Sequence, residues 1–286
     1  MKIQVKGHSG CRIEIVNDGS NLYICKSTQD PKYVDRLSLQ AQKQRDAARK
    51  EYRNIHIPEI YAVERQPDQL AIRMEYVYSK NYIDYFEDAG FDDICSFVKA
   101  LQSFVNDEIA DSPLQAVDTS VVKEKFADVF RKCQNNSALI SQWGGVEPLL
   151  QKCGEIFGRL PGEIEIPLGK CHGDLTFSNI LFNGNSFYLI DFLDSFIESP
   201  LMDLVKIRQD SRFEWSRLMY EGDVDLVRLH IISEKIDSEI DGFYSQYGWY
   251  REYYSVFQLM NFLRILQYAK EEKVINYLMN VIGSMI

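Results

Sequence analysis

No stretch of this 286-residue chain approaches the ~18 consecutive apolar residues that a membrane-spanning helix needs. The N-terminal MKIQVKGHSGC lacks the apolar segment of a secretory signal, so the expectation is a cytoplasmic chain that keeps off membranes. Six cysteines (Cys11, Cys25, Cys95, Cys133, Cys153, Cys171) are scattered without a C-x-x-C pair, which argues against a zinc knuckle or a disulfide framework and for reduced thiols. With 8 Pro and 16 Gly, no Gly/Ser linker and no internal repeat, collagen-like, low-complexity and solenoid chains are excluded. Basic surplus is missing too: 32 Lys and Arg against 42 Asp and Glu leave a net −10, which disfavours nucleic acid as a partner. There is no G-x-S-x-G, H-E-x-x-H or Walker A sequence, and His8, His56 and His230 form no spaced ligand set.

What is present divides near residue 78. Residues 1–78 hold 13 Lys and Arg against 10 Asp and Glu, net +3, whereas residues 79–286 are net −13. The first part reads as strands at 2–6, 11–17 and 22–27, separated by GHSG and DGSN turn chemistry. A polar helix over 35–51 and a hairpin of 60–63 with 70–77 complete it. Beyond residue 78 the pattern is helical, over 91–109, 119–132, 146–159, 200–219, 223–239 and 247–282. The exception is 164–192, where Asn183-Gly184-Asn185 separates two apolar strands. The aromatic run Tyr244–Phe257 reads more readily as a helix–helix core than as a pocket lining. The expected fold class is α+β: a small β-rich N-terminal lobe over 1–78 and a larger, mostly helical lobe over 79–286.

The chemistry concentrates in His172-Gly173-Asp174-Leu175-Thr176-Phe177-Ser178-Asn179 and Ile190-Asp191-Phe192-Leu193-Asp194. Asp174 and Asn179 stand in the D-x-x-x-x-N relation by which a kinase catalytic loop supplies a base and a metal ligand. If Asn183–Asn185 is a hairpin loop, Asn179 faces Leu189 and Asp191 lies two positions on, close enough to share one hard cation with Asn179. An amide and a carboxylate with open positions suit Mg²⁺ carrying nucleotide phosphates, and Asp174 is then free to accept a hydroxyl proton. Taken singly, each residue also has a plain reading, as a turn, a strand end or a solvated acid.

The pattern HGDLTFSN…LIDFLD resembles the aminoglycoside phosphotransferase and choline kinase superfamily of protein-kinase-like small-molecule kinases, over nearly the whole chain. The resemblance implies a bilobal fold and transfer of the γ-phosphoryl group of ATP to a hydroxyl of an amino alcohol, sugar or aminoglycoside-like acceptor. It makes Asp174 the catalytic base, Asn179 and Asp191 magnesium ligands, His172 an organiser of the loop, and Asp203 a brace for it. It also implies a phosphate loop, for which Gly7-His8-Ser9-Gly10 is the candidate, though a plain turn fits as well. Lys26 is the candidate for the phosphate-binding lysine, and the backbone of Glu75 and Val77 for the adenine hinge. The family pairs that lysine with a helical glutamate, but residues 37–45 contain no acid, which leaves Gln42 as the expected partner of Lys26. Competing readings are a protein Ser/Thr kinase and a nucleotide-binding pseudoenzyme. The −13 charge of the second part suggests a cationic acceptor, unless those acids only solvate the surface.

Overall fold

A computed structural model describes residues 2–5, 11–19 and 21–286; the Gly7-His8-Ser9-Gly10 loop lies outside the described residues. Strands β1 (Lys2–Val5), β2 (Arg12–Asn17) and β3 (Leu22–Thr28) form an antiparallel meander. The chain then makes helix α1 (Pro31–Ala47) and the two-residue strand β4 (Ile55–His56) before adding the hairpin β5 (Ile60–Gln66) and β6 (Gln69–Glu75). The resulting sheet has the order β1-β2-β3-β6-β5. Helix α1 starts four residues before the periodicity suggested, because Asp30 caps it, accepting from the Lys32 N–H at 3.0 Å, and Pro31 opens it with φ already set. Its apolar face, Val34, Leu37 and Ala41, is buried on Leu70, Ile72 and Met74 of β6.

The second part begins with α2 (Tyr82–Asp88) and α3 (Phe91–Ala110), then runs through β7 (Leu114–Asp118), α4 (Ser120–Gln134), α5 (Ser137–Ile140), α6 (Trp143–Gly158) and β8 (Glu163–Pro167). Strand β7, which fell between two expected helical runs, pairs antiparallel with β8. The hairpin β9 (Ile180–Asn183) and β10 (Ser186–Leu189) follows, then α7 (Pro200–Ser211), α8 (Trp215–Leu218), α9 (Leu226–Tyr244), α10 (Gly248–Leu266) and α11 (Glu272–Ser284). The 200–219 run breaks at Glu214, whose φ of 50° cannot continue a right-handed helix, and the 247–282 run breaks after Leu266. Tyr244, Trp249, Tyr250, Tyr254 and Phe257 are buried, so the aromatic stripe is helix–helix core. Among the described residues no helix is long and apolar enough to cross a membrane.

Two features position the site. Phe97 of α3 is fully buried against the rings of Phe177, Phe182 and Phe187, at centroid distances of 5.9, 5.1 and 5.0 Å. Burying each such ring contributes about 2–3 kcal/mol, which fixes the β9–β10 hairpin on the helices. The hairpin turns on two residues rather than three. Asn183 pairs with Ser186, Gly184 sits at φ 57°, and Asn179 therefore lies opposite Ile190 rather than Leu189. Asp191 is thus one residue past the position opposite Asn179, closer than the symmetric count of a three-residue loop allowed. Strand β4 is separate from the first sheet and pairs parallel with β10, Ile55 opposite Phe187.

Candidate active site

Helix α7 presents Asp203, Lys206 and Asp210 at spacings of three and four, which places them along one helical face. That face underlies the segment His172–Asn179. The Asp203 carboxylate accepts from the His172 N–H at 2.6 Å and from the Gly173 N–H at 2.7 Å. The Lys206 ammonium meets Asp174 Oδ1 at 3.0 Å, and Asp210 accepts from the Phe177 N–H at 2.6 Å. Burial pushes the Asp203 carboxyl up to about 7 and that of Asp210 up to about 6, against the backbone N–H groups that favour the ionised form. Asp174 goes the other way: burial is the largest single influence and would raise it, but the charge and hydrogen bond of Lys206, with His172 and the Asn179 amide, together hold it below the ordinary carboxylate value.

His172 is fully buried, with Nε2 2.9 Å from the Ile190 carbonyl and Nδ1 accepting from the Asp174 N–H at 3.2 Å. Those partners assign the Nε2–H tautomer, and burial takes its pKa down to about 4, so the ring is a neutral crosslink at pH 7. Gly173 sits at φ 87°, and a Cβ there would lie 2.0 Å from the Leu193 carbonyl oxygen. Only glycine lets the loop lie this close to the segment after Asp191, where the Leu193 N–H donates to the His172 carbonyl at 3.0 Å.

Asn179 donates from Nδ2 to the Asp174 carbonyl at 2.8 Å and to Asp174 Oδ2 at 2.9 Å. Asp191 stands just past the end of β10 at φ 60°, a left-handed conformation costing a non-glycine residue about 1 kcal/mol, and its Oδ1 meets Lys26 Nζ at 2.7 Å. Lys26 is buried within β3, between Ile13 and Ile72 of the neighbouring strands. Asp174 with Asn179, and Asp191 with Lys26, are thus two bonded pairs, brought side by side by the Ile190 N–H, which donates to the Asn179 carbonyl at 3.0 Å. An amide and a carboxylate are hard oxygen donors that suit magnesium with phosphate completing its shell. The donor set fits that ion, and no cluster of three or more His, Cys, Asp or Glu that could hold a metal is found among the described residues.

The remaining sequence candidates are placed as follows. Glu75 ends β6, its N–H donating to the Glu59 carbonyl at 2.8 Å, and the Val77 carbonyl, two residues on, accepts from the Ser79 hydroxyl at 3.3 Å. Gln42 is exposed and bonds the Asp46 carboxylate at 3.0 Å one turn along α1, so it does not meet Lys26. The inward glutamines are its neighbours: Gln44 donates to the Pro58 carbonyl at 2.8 Å, and Gln40 is buried with neither amide atom bonded. The helical periodicity of Val34, Leu37 and Ala41 could have chosen Gln40 and Gln44 over Gln42. Lys43, which sequence reasoning passed over, reaches from α1 to the Leu193 carbonyl at 2.6 Å and to Glu198 at 2.6 Å. No local signal marks it. Lys206 and Asp210 carried one, their spacing from Asp203.

A bilobal α+β fold with this loop, this face of α7 and a buried lysine crossing to Asp191 defines a kinase-like phosphotransferase. A model of the phosphotransferase enzyme family (APH) matches residues 16–227, and the chain belongs to that family. Solved structures similar to it include the ADP-bound aminoglycoside phosphotransferase APH(2'')-Ib, 14% identical, with a TM-score of 0.58 over 100% of this chain and 94% of that one. Spectinomycin phosphotransferase APH(9)-Ia, in complex with ADP and spectinomycin, is 14% identical, with a TM-score of 0.59 over 100% and 92%. A glucosamine kinase is 11% identical, with a TM-score of 0.60 over 96% and 75%. At these identities the likeness is one of fold. A protein of Methanosarcina mazei named as a probable bifunctional tRNA threonylcarbamoyladenosine biosynthesis protein is 38% identical over 96 residues, which are 32% of this chain and 16% of that protein's length.

Proposed function

We propose that the protein transfers the γ-phosphoryl group of ATP to a hydroxyl of a small molecule, with Asp174 as the base. The observation that carries this reading is the double hold on the Asp174 carboxylate, Oδ1 on Lys206 at 3.0 Å and Oδ2 on Asn179 at 2.9 Å. A carboxylate offers about four lone-pair directions, so an acceptor O–H still finds room and meets a group already ionised and aimed. Phosphoryl transfer passes through a loose transition state, so positioning by the base matters more than its basicity, and a low carboxyl pKa suits the task. Asn179 and Asp191 would hold Mg²⁺, which when bound offsets the charge of the nucleotide phosphates. Lys26, beside Asp191, would take the α- and β-phosphates, and the backbone at Glu75 and Val77 the adenine edge. A small-molecule acceptor fits the segment after Asp191 better than a protein does: the Ser195 N–H is closed onto Glu198 at 2.6 Å, and α7 begins at Pro200, leaving no long activation segment.

The test is Asp174→Asn, which keeps volume but cannot take the proton. Turnover should fall by about 10²–10⁴-fold with MgATP affinity retained. Wild-type turnover in this variant would remove Asp174 from the chemistry.

A further inference from the structure

Two basic side chains flank Asp174, although the chain as a whole is net −10. Lys206 stands on one side of it, and Arg264 of α10 is part-buried on another, its guanidinium 5.1 Å over the ring of Phe196, in the segment that follows Asp191. Among the described residues, Arg264 has no carboxylate within 4 Å, whereas the buried Arg208 of α7 is clamped by Asp237, Asp241 and the Tyr250 hydroxyl. Lys125 of α4, the helix packed beside α10, is close enough for its charge and that of Arg264 to repel, as is Arg36 of α1. Among the described residues Lys125 has only Asp128 at 3.8 Å, a carboxylate already bonded at 2.7 Å to both Arg131 and Lys132. Burial and these like charges hold Lys125 and Arg264 below their ordinary values, with Asp174 and Asp194 pulling Arg264 the other way.

Several acids of the second part, whose net charge suggested a cationic acceptor, are bonded within the chain. Asp93 accepts from the Gly90 N–H at 2.8 Å at the start of α3, and Asp225 caps α9. Asp84 is bonded by Asn81 and Asp88 by Lys80. A part-buried guanidinium with no carboxylate within 4 Å leaves its five donors open to a ligand anion.

We infer that the acceptor carries a carboxylate or phosphate near the hydroxyl that is phosphorylated, and that Arg264 and Lys125 bind this anionic group. The inference rests on Asp174 being the centre of the site. A planar fork on Phe196 suits bidentate recognition of either anion, and it would set the distance between that group and the reacting hydroxyl.

The experiment uses the whole protein and calorimetry. Binding of MgADP is measured first, because its failure would undo the kinase reading itself. Glucose, glucuronate, glucose 6-phosphate and glucosamine are then titrated into the MgADP complex. We expect glucuronate or glucose 6-phosphate, which separate carboxylate from phosphate, to bind at least tenfold more tightly than glucose, and glucosamine most weakly. Arg264→Gln should remove that preference and Arg264→Lys restore part of it; in turnover the loss should fall on the acceptor KM. MgADP binding together with a preference for glucosamine or glucose, with no sugar bound, or with an unchanged preference in Arg264→Gln, overturns the anionic acceptor and leaves the kinase reading standing.

Discussion

Lys206 and Asp174 meet at 3.0 Å, one from the middle of a buried helix and the other from the loop above it, and this pair sets the charge state at the centre of the site. Replacing Lys206 by Met removes the largest of the influences that oppose burial, so the Asp174 carboxyl should rise. The acidic limb of the kcat/KM profile should move to higher pH, by about one unit or more. A profile superimposable on wild type would show that Lys206 does not tune Asp174.

The inward and outward glutamines of α1 give opposite expectations. Gln42→Ala should leave kinetics unchanged, since its amide bonds only Asp46 on the exposed face. Gln40→Leu should raise the thermal midpoint, because it replaces a buried amide with two unbonded atoms by a side chain of similar size, a change worth about 1 kcal/mol or more. A lower midpoint together with a higher MgATP KM would instead assign Gln40 a nucleotide-dependent partner.

His172 makes stability fall in acid. Its folded pKa of about 4 lies below the ordinary 6.5, so the unfolded chain takes up the proton first as pH falls. The stability it contributes is complete above pH 6.5 and is lost as pH drops through 6.5 toward 4. Asp203, raised to about 7, acts in the opposite sense. Denaturant midpoints at pH 7.5, 6 and 5 should therefore fall less, or rise more, toward acid in His172→Gln than in wild type, whatever the absolute stability of the variant.

Local spacing carried most of what the sequence made legible. The separations that place Asp174, Asn179 and Asp191 together arise within one short hairpin and survived a one-residue error in its register, because Asp191 only came closer. The reason position 173 is glycine, the Leu193 carbonyl in the space a Cβ would fill, is visible only in the fold. Gln42 was chosen by counting from Lys26 when the buried face of α1 should have decided. Lys43 and Arg264 were invisible for a different reason. Each acts across more than 80 residues of sequence, on Glu198 and on Asp174 respectively, and no periodicity encodes such a meeting. Strand β7 was lost between two helical runs because a five-residue edge strand with one buried residue carries almost no alternation.

The short excursion of β4 bears on how the molecule assembles. After α1 the chain leaves the first sheet, lays Ile55 beside Phe187 in the core of the other part, and only then returns to add the hairpin that completes the first sheet. The two parts are therefore stitched rather than strung together. A fragment ending at residue 78 would carry Ile55, 2% exposed in the whole chain, as an uncovered apolar side chain with no strand to pair. The β4–β10 pairing joins residues more than 130 positions apart, which raises the contact order of the chain and slows its folding. Cutting the chain at the apparent boundary in charge would thus separate two halves that finish each other.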